Sequence, residues 1–152
     1  MSYTITKEVF TEVVDELDEL AELNLKETIS RDDIQEAAPA VEAYALIEEQ
    51  DNVVTYILRE DGAAKGYITF LITPDMSHST TLYADNLLYF ISPDVRGKWL
   101  GIKLYKEAEK ELRERGVQIV RISSRIKAPI NPVLERMGFE EEEIRYNKVL
   151  ED

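Results

Sequence analysis

Cysteine is absent from this chain of 152 residues, and histidine and tryptophan occur once each. The first absence excludes disulfides, thiol nucleophiles and Cys-ligated zinc together. With a single imidazole, a histidine-built metal site or a Ser/His/Asp triad would rest on His78 alone, in the polar stretch TPDMSHST. That stretch reads as a surface loop with a solvated histidine, acid–base use being the alternative, and no metal is expected. No apolar run approaches the ~18 residues of a membrane span, so a membrane is not an expected partner. The opening MSYTITKEVF lacks the basic and apolar regions of an export signal, which makes the cytoplasm the expected location.

Positive charge is scarce in one place only. Residues 1–51 hold 15 Asp/Glu against 3 Lys/Arg and residues 52–152 hold 16 against 15, so nearly all of the net charge of −13 belongs to the first third. Nucleic acid should be repelled there and a cationic partner drawn in. The composition is otherwise that of a globular protein, 44% hydrophobic and 32% charged, without repeats or linkers. A chain of this length buries roughly 70% of its unfolded surface around one core, and a single domain over 1–152 is expected.

Phe10, Val13, Val14, Leu17, Leu20 and Ala21 recur at helical spacing and predict an amphipathic helix with an acidic outer face, Thr6 being a candidate cap. The segment SRDDIQEAAPA interrupts the pattern, and a second helix is expected over Val41–Gln50, with Pro39 suited to its first turn. NVVTYILRE and YITFLIT around Asp61 and Gly62 predict an antiparallel hairpin, followed after a polar loop by a strand in TLYADNLLYFI. A helix from about Gly97 to Arg115 carries Leu100, Leu104, Ala108 and Leu112 on one face and ends at Gly116. VQIVRIS reads as a strand, PVLERMGF as a brief helix and IRYNKVL as a last strand. The fold class is α+β.

Between strand and helix stands ISPDVRGKWLGIKL, with Arg96, Gly97, Lys98 and Gly101 at the mouth of the helix. The N-H groups of a helix N-terminus bind phosphate, glycines let a ligand approach the backbone, and the cations neutralise its charge. An ordinary basic turn would explain this stretch taken by itself. Joined to GVQIVRIS and VLERMGFEEEEIRYNKVL, it resembles the GNAT superfamily of N-acetyltransferases, phage-encoded type, well over residues 80–150 and more loosely before them. In that family V-x-P ends a strand, R-G-x-G-x-G opens the helix that holds the pyrophosphate of acetyl-CoA, and L-Y-E-R-x-G-F begins the last strand pair.

The resemblance implies a mixed, mostly antiparallel central sheet flanked by about four helices, and acetyl-CoA as cofactor. It assigns Phe90 and Ile91 to the strand that pairs with the pantetheine arm, and Arg96, Gly97, Lys98, Trp99, Leu100, Gly101 and Ile102 to the pyrophosphate loop. The chain departs from the family pattern at Trp99, in place of a glycine, at Leu134, in place of a Tyr that protonates the leaving thiolate, and at Lys127, in place of an Asn. Glu27 aligns with an H-x-x-E-like feature and is the first candidate for base or amine anchor, followed by Asp85 and Glu49; Tyr146 leads Tyr89 and Tyr105 as candidate acid. The implied function is acetyl transfer to a cationic primary amine (a small amine, an amino sugar or a protein lysine), in the host cytoplasm if phage-encoded. The alternative is a non-catalytic acidic interaction protein that binds a basic partner on a degenerate scaffold of this kind. Pairing of edge strands into a homodimer is left open by the sequence.

Overall fold

A computed structural model describes residues 2–28 and 38–150. Five strands, β1 (Tyr3–Lys7), β2 (Val53–Glu60), β3 (Ala63–Pro74), β4 (Leu82–Ile91) and β5 (Ile119–Arg121), form one sheet in chain order. The first four are antiparallel neighbours, while β5 runs parallel to β4. The described helices are α1 (Phe10–Val13), α2 (Asp18–Thr28), α3 (Val41–Glu49), α4 (Leu100–Glu114) and α5 (Asn131–Arg136), with a 3-10 turn at Pro93–Val95. The class expected from the sequence, a mixed and mostly antiparallel sheet with flanking helices, is the one observed.

Period-two burial divides the sheet into two apolar faces. On one, Val54, Leu58, Ile68, Phe70 and Ala84 pack against the stripe Leu100, Leu104, Tyr105, Ala108 and Leu112 of α4. On the other, Ile57, Tyr67 and Phe90 meet Phe10, Leu17 and Leu20 from the first helices. Asp61 and Gly62 both take positive φ, 50° and 89°, as a two-residue turn matched to the strand twist requires. The turn is tighter than the sequence indicates, because β3 begins at Ala63.

Four local expectations change. Tyr3–Lys7 pairs with Glu60–Tyr56 as an edge strand, so Thr6 lies in β1 and caps nothing. The helix expected from Phe10 is divided by a turn at residues 14–17, yet Phe10, Leu17 and Leu20 still share one buried face. The second helix begins at Val41 with Pro39 just outside it; most of the interruption predicted before it, residues 29–37, lies outside the described residues. VQIVRIS yields only the three residues of β5, and IRYNKVL forms no strand: Ile144 is 78% exposed and Tyr146 87%. Alternating β-propensity makes a strand only where a partner edge exists, and three residues of β5 offer little ladder beside the like-charged run Glu140–Glu143.

Candidate active site

The site begins at a fault in β4. Its register with β3 slips between Thr69↔Leu88 and Phe70↔Asn86, which leaves Leu87 as an extra residue. Asn86 Nδ2 donates to the carbonyl oxygens of Thr69 at 3.2 Å and Leu88 at 2.8 Å, holding the bulge by its side chain. β5 accompanies β4 only over Tyr83–Asp85. From Asn86 to Ile91, β4 therefore has β3 on one side and, among the described residues, no strand on the other. An edge of this kind offers backbone donors and acceptors to an extended ligand.

That edge ends at the mouth of α4. Lys65 pairs with Asp94 at 2.8 Å and so fixes the 3-10 turn against β3, and the chain then passes through Arg96–Trp99 into the helix. Gly97 has φ of +88°, with nothing within 4 Å of where a Cβ would stand. Trp99 is the N-cap, without a side-chain capping bond, in left-handed conformation (φ +61°). This backbone is the one a glycine adopts freely, and a bulky residue in it costs about 1–2 kcal/mol. Gly101 brings α4 close to β4: a Cβ on it would stand 3.4 Å from Ile91 and 3.5 Å from the Tyr89 hydroxyl, which donates to the Gly101 carbonyl. Leu100 is buried beneath the mouth and Ile102 is half-buried beside it.

The cations of the loop already have partners. Arg96 donates through Nε to the Ile91 carbonyl at 2.9 Å and through a terminal nitrogen to Glu27 at 2.7 Å, with its guanidinium over the Phe90 ring. The hydrogen bond from Arg96 outweighs partial burial and holds the Glu27 carboxyl below the usual carboxylate range. Lys98 reaches the Tyr3 hydroxyl at 3.0 Å. The residues singled out in sequence as a cofactor loop thus gather at the mouth of α4, and Glu27, sixty-nine positions away from Arg96 in the chain, joins them through α2. Phe90 and Ile91 face opposite sides of the sheet.

The remaining candidates stand further off. Asp85 lies at the far end of the open edge, and Arg121 grips its carboxylate at 2.7 and 3.0 Å. Tyr146 is in the exposed segment after α5 and is not brought to the loop. The Tyr105 hydroxyl is spent on Glu109, Glu49 is exposed at the end of α3, Lys127 is exposed, and Leu134 is a core residue of α5. The exposed His78 lies in the predicted loop.

Three polar residues escape the sequence reading. Asn86 offers a signal, being an amide in the middle of an apolar strand, where Asn is disfavoured. Tyr67 sits opposite Phe90 on β3, buried on the α2 side of the sheet, and its hydroxyl accepts a hydrogen bond from Asn24 at 3.3 Å. Burial pushes that phenol up to about 12. Nothing local marks Tyr67 or Asn24, since only pairing across 43 residues brings them together.

A strand left open on one edge and aimed at an uncapped, basic helix mouth is how an α+β acyltransferase domain can hold a long donor that carries phosphate. The residues that build it lie within a longer match, 15–139, to the Acetyltransferase (GNAT) family, and the chain belongs to that family. Solved structures share the fold over nearly their whole length. An acetyltransferase of Trypanosoma brucei is 18% identical with a TM-score of 0.73, covering 98% of this chain and 100% of its own. A predicted acetyltransferase from Clostridium acetobutylicum, solved with acetyl-CoA, is 14% identical with a TM-score of 0.71 and 96% of each chain covered. An aminoglycoside acetyltransferase from an uncultured soil metagenomic sample is 12% identical with a TM-score of 0.75, covering 99% of this chain and 100% of its own. No curated protein matches the sequence.

Proposed function

We propose that the protein transfers an acetyl group from acetyl-CoA to a cationic primary amine, such as a small amine, an amino sugar or a protein lysine. The observation that carries this reading is the continuity of the open β4 edge, Asn86–Ile91, with the uncapped N-terminus of α4. The residues fit such a donor. The edge supplies main-chain partners for an amide-bearing arm, the free N-H groups of α4 supply those for a diphosphate, and Gly97 leaves the approach clear. When bound, acetyl-CoA supplies an activated thioester.

The chain's own groups deal with the amine. A lysine-like amine with a pKa near 10.4 needs roughly 4–5 kcal/mol to lose its proton at pH 7, part of which a general base or desolvation supplies. Glu27 faces the loop from α2 as a carboxylate, so it can attract the ammonium group, and it accepts the proton once the amine takes the place of Arg96 beside it. Arg96 is shared between Glu27 and the strand end, which ties the acceptor side to the donor side. Asp85 and Tyr146 keep lesser claims, the one held by Arg121 and the other solvent-exposed. We place the reaction in the cytoplasm and do not propose nucleic acid as a partner. Among the described residues no helix is long and apolar enough to cross a membrane. The single domain over 1–152, the phage-encoded subclass and a homodimer rest on sequence alone.

Acetyl-CoA should raise the melting temperature. Saturation at about 100 Kd is worth about 2.7 kcal/mol, hence roughly 5–10 °C for a chain of this size. Gly101→Glu should abolish the shift, because its side chain crowds Ile91 and sets a carboxylate at the helix mouth. Absence of any shift at millimolar acetyl-CoA overturns the reading. Bound acetyl-CoA without thiol release over a panel of amines, together with a salt-sensitive complex with a basic protein, would favour a binding protein instead.

A further inference from the structure

Each cation of the α4 loop is engaged on the protein, Arg96 by Glu27 and Lys98 by Tyr3. Arg136, from the last turn of α5, differs. Its guanidinium lies 4.7 Å from the centre of the Trp99 ring, and no carboxylate pairs with it among the described residues. Both side chains are open to solvent, Trp99 being 56% exposed. A large indole held outside at the helix mouth, in a conformation that suits glycine, buries little of itself, so packing does not account for it. What it presents is an exposed indole with a guanidinium over its ring and, among the described residues, no carboxylate to neutralise that charge.

We propose that Trp99 and Arg136 form the subsite for the nucleotide end of CoA, with the purine stacked on the indole and the phosphate on the ribose 3′ oxygen paired with Arg136. The inference rests on the acetyl-CoA reading above. Once the arm runs along β4 and the diphosphate sits at the α4 mouth, the nucleoside is bonded directly to that diphosphate and must lie within one nucleotide length of Trp99. Arg96 faces α2 and Lys98 faces β1, while on the α5 side Arg136 and Trp99 set a cation without a carboxylate partner among the described residues against an aromatic surface. Purines stack on aromatic faces, and guanidinium groups match phosphate geometry.

The chain has one tryptophan, so its emission reports on the mouth of α4 and the surface beside it. CoA and 3′-dephospho-CoA should both change the emission of the wild-type protein more than 4′-phosphopantetheine does, because only they carry the base that stacks. By calorimetry, Trp99→Gly should weaken CoA about tenfold, the scale of one lost base stack, and leave 4′-phosphopantetheine unchanged. Glycine accepts the left-handed backbone, so this variant keeps its fold. Arg136→Gln should erase the difference in affinity between CoA and 3′-dephospho-CoA. Equal binding of CoA by wild type and Trp99→Gly, or an equal loss for 4′-phosphopantetheine, overturns the subsite and leaves the acetyl-CoA reading standing. Failure of all three ligands to bind the wild type overturns both.

Discussion

Arg59 shows how one side chain can set the outer limits of this fold. Its guanidinium donates to both oxygens of Glu8, to Glu16 and to the Gly62 carbonyl, so β2 is stitched to the start of the first helices and to the hairpin turn. The hydrogen bonds from Arg59 hold the carboxyls of Glu8 and Glu16 below their ordinary value of 4.5. Folded carboxyls with lowered values bind fewer protons than unfolded ones near that pH. Their stabilisation is complete above about 4.5 and fades as pH falls through the folded values. Arg59→Met should cost about 1–2 kcal/mol at pH 7, a drop in melting temperature of roughly 2–8 °C. The gap between the two melting curves should close below pH 4.5; a gap independent of pH would show that Arg59 acts through packing and not through its charge.

Among the elements, α2 and the loop before α4 meet in the Arg96–Glu27 pair, and their meeting yields a kinetic expectation. Glu27→Gln keeps the shape and loses the charge. Under the proposed function, turnover should fall by about 100-fold or more, the scale of a lost general base, while acetyl-CoA affinity measured by calorimetry stays within a few-fold. An unchanged kcat would remove Glu27 from the chemistry. The contributing elements differ in how far the sequence discloses them. The α4 stripe and the Asp61–Gly62 hairpin were legible because each is local: a period of three to four residues, or a turn that needs positive φ twice in succession. The turn that opens α4, Trp99 included, was legible as a stretch of glycines and cations at a helix start. β1 was not, since five residues of mixed polarity become a strand only beside the already formed β2. The last strand expected over IRYNKVL does not form, for the converse reason that the three residues of β5 offer it little ladder. The bulge and the Tyr67–Asn24 bond depend on register between distant segments, which no short window of sequence contains.

At the scale of the molecule, charge is divided as the site is divided. The acidic first third builds β1 and the three helices that pack on one side, whereas the loop with Arg96 and Lys98 belongs to the nearly neutral remainder. Under the proposed function, a cationic acceptor should feel this field before it docks. Its kcat/KM should fall as ionic strength rises from about 0.01 to 0.15 M, over which the Debye length shortens from about 30 to 8 Å, and an uncharged amine analogue should respond much less. Reversing several charges on the outer face of α2 should flatten that dependence; identical salt profiles for the two acceptors would confine the acidity to a role in solubility.

The open edge of β4 has a cost of its own. A strand edge with no neighbouring strand looks, to any extended peptide nearby, like a sheet awaiting its next strand. Under the proposed function, a donor lying along that edge would shield it from self-association. Protein stored without acetyl-CoA should therefore aggregate sooner than protein stored with it.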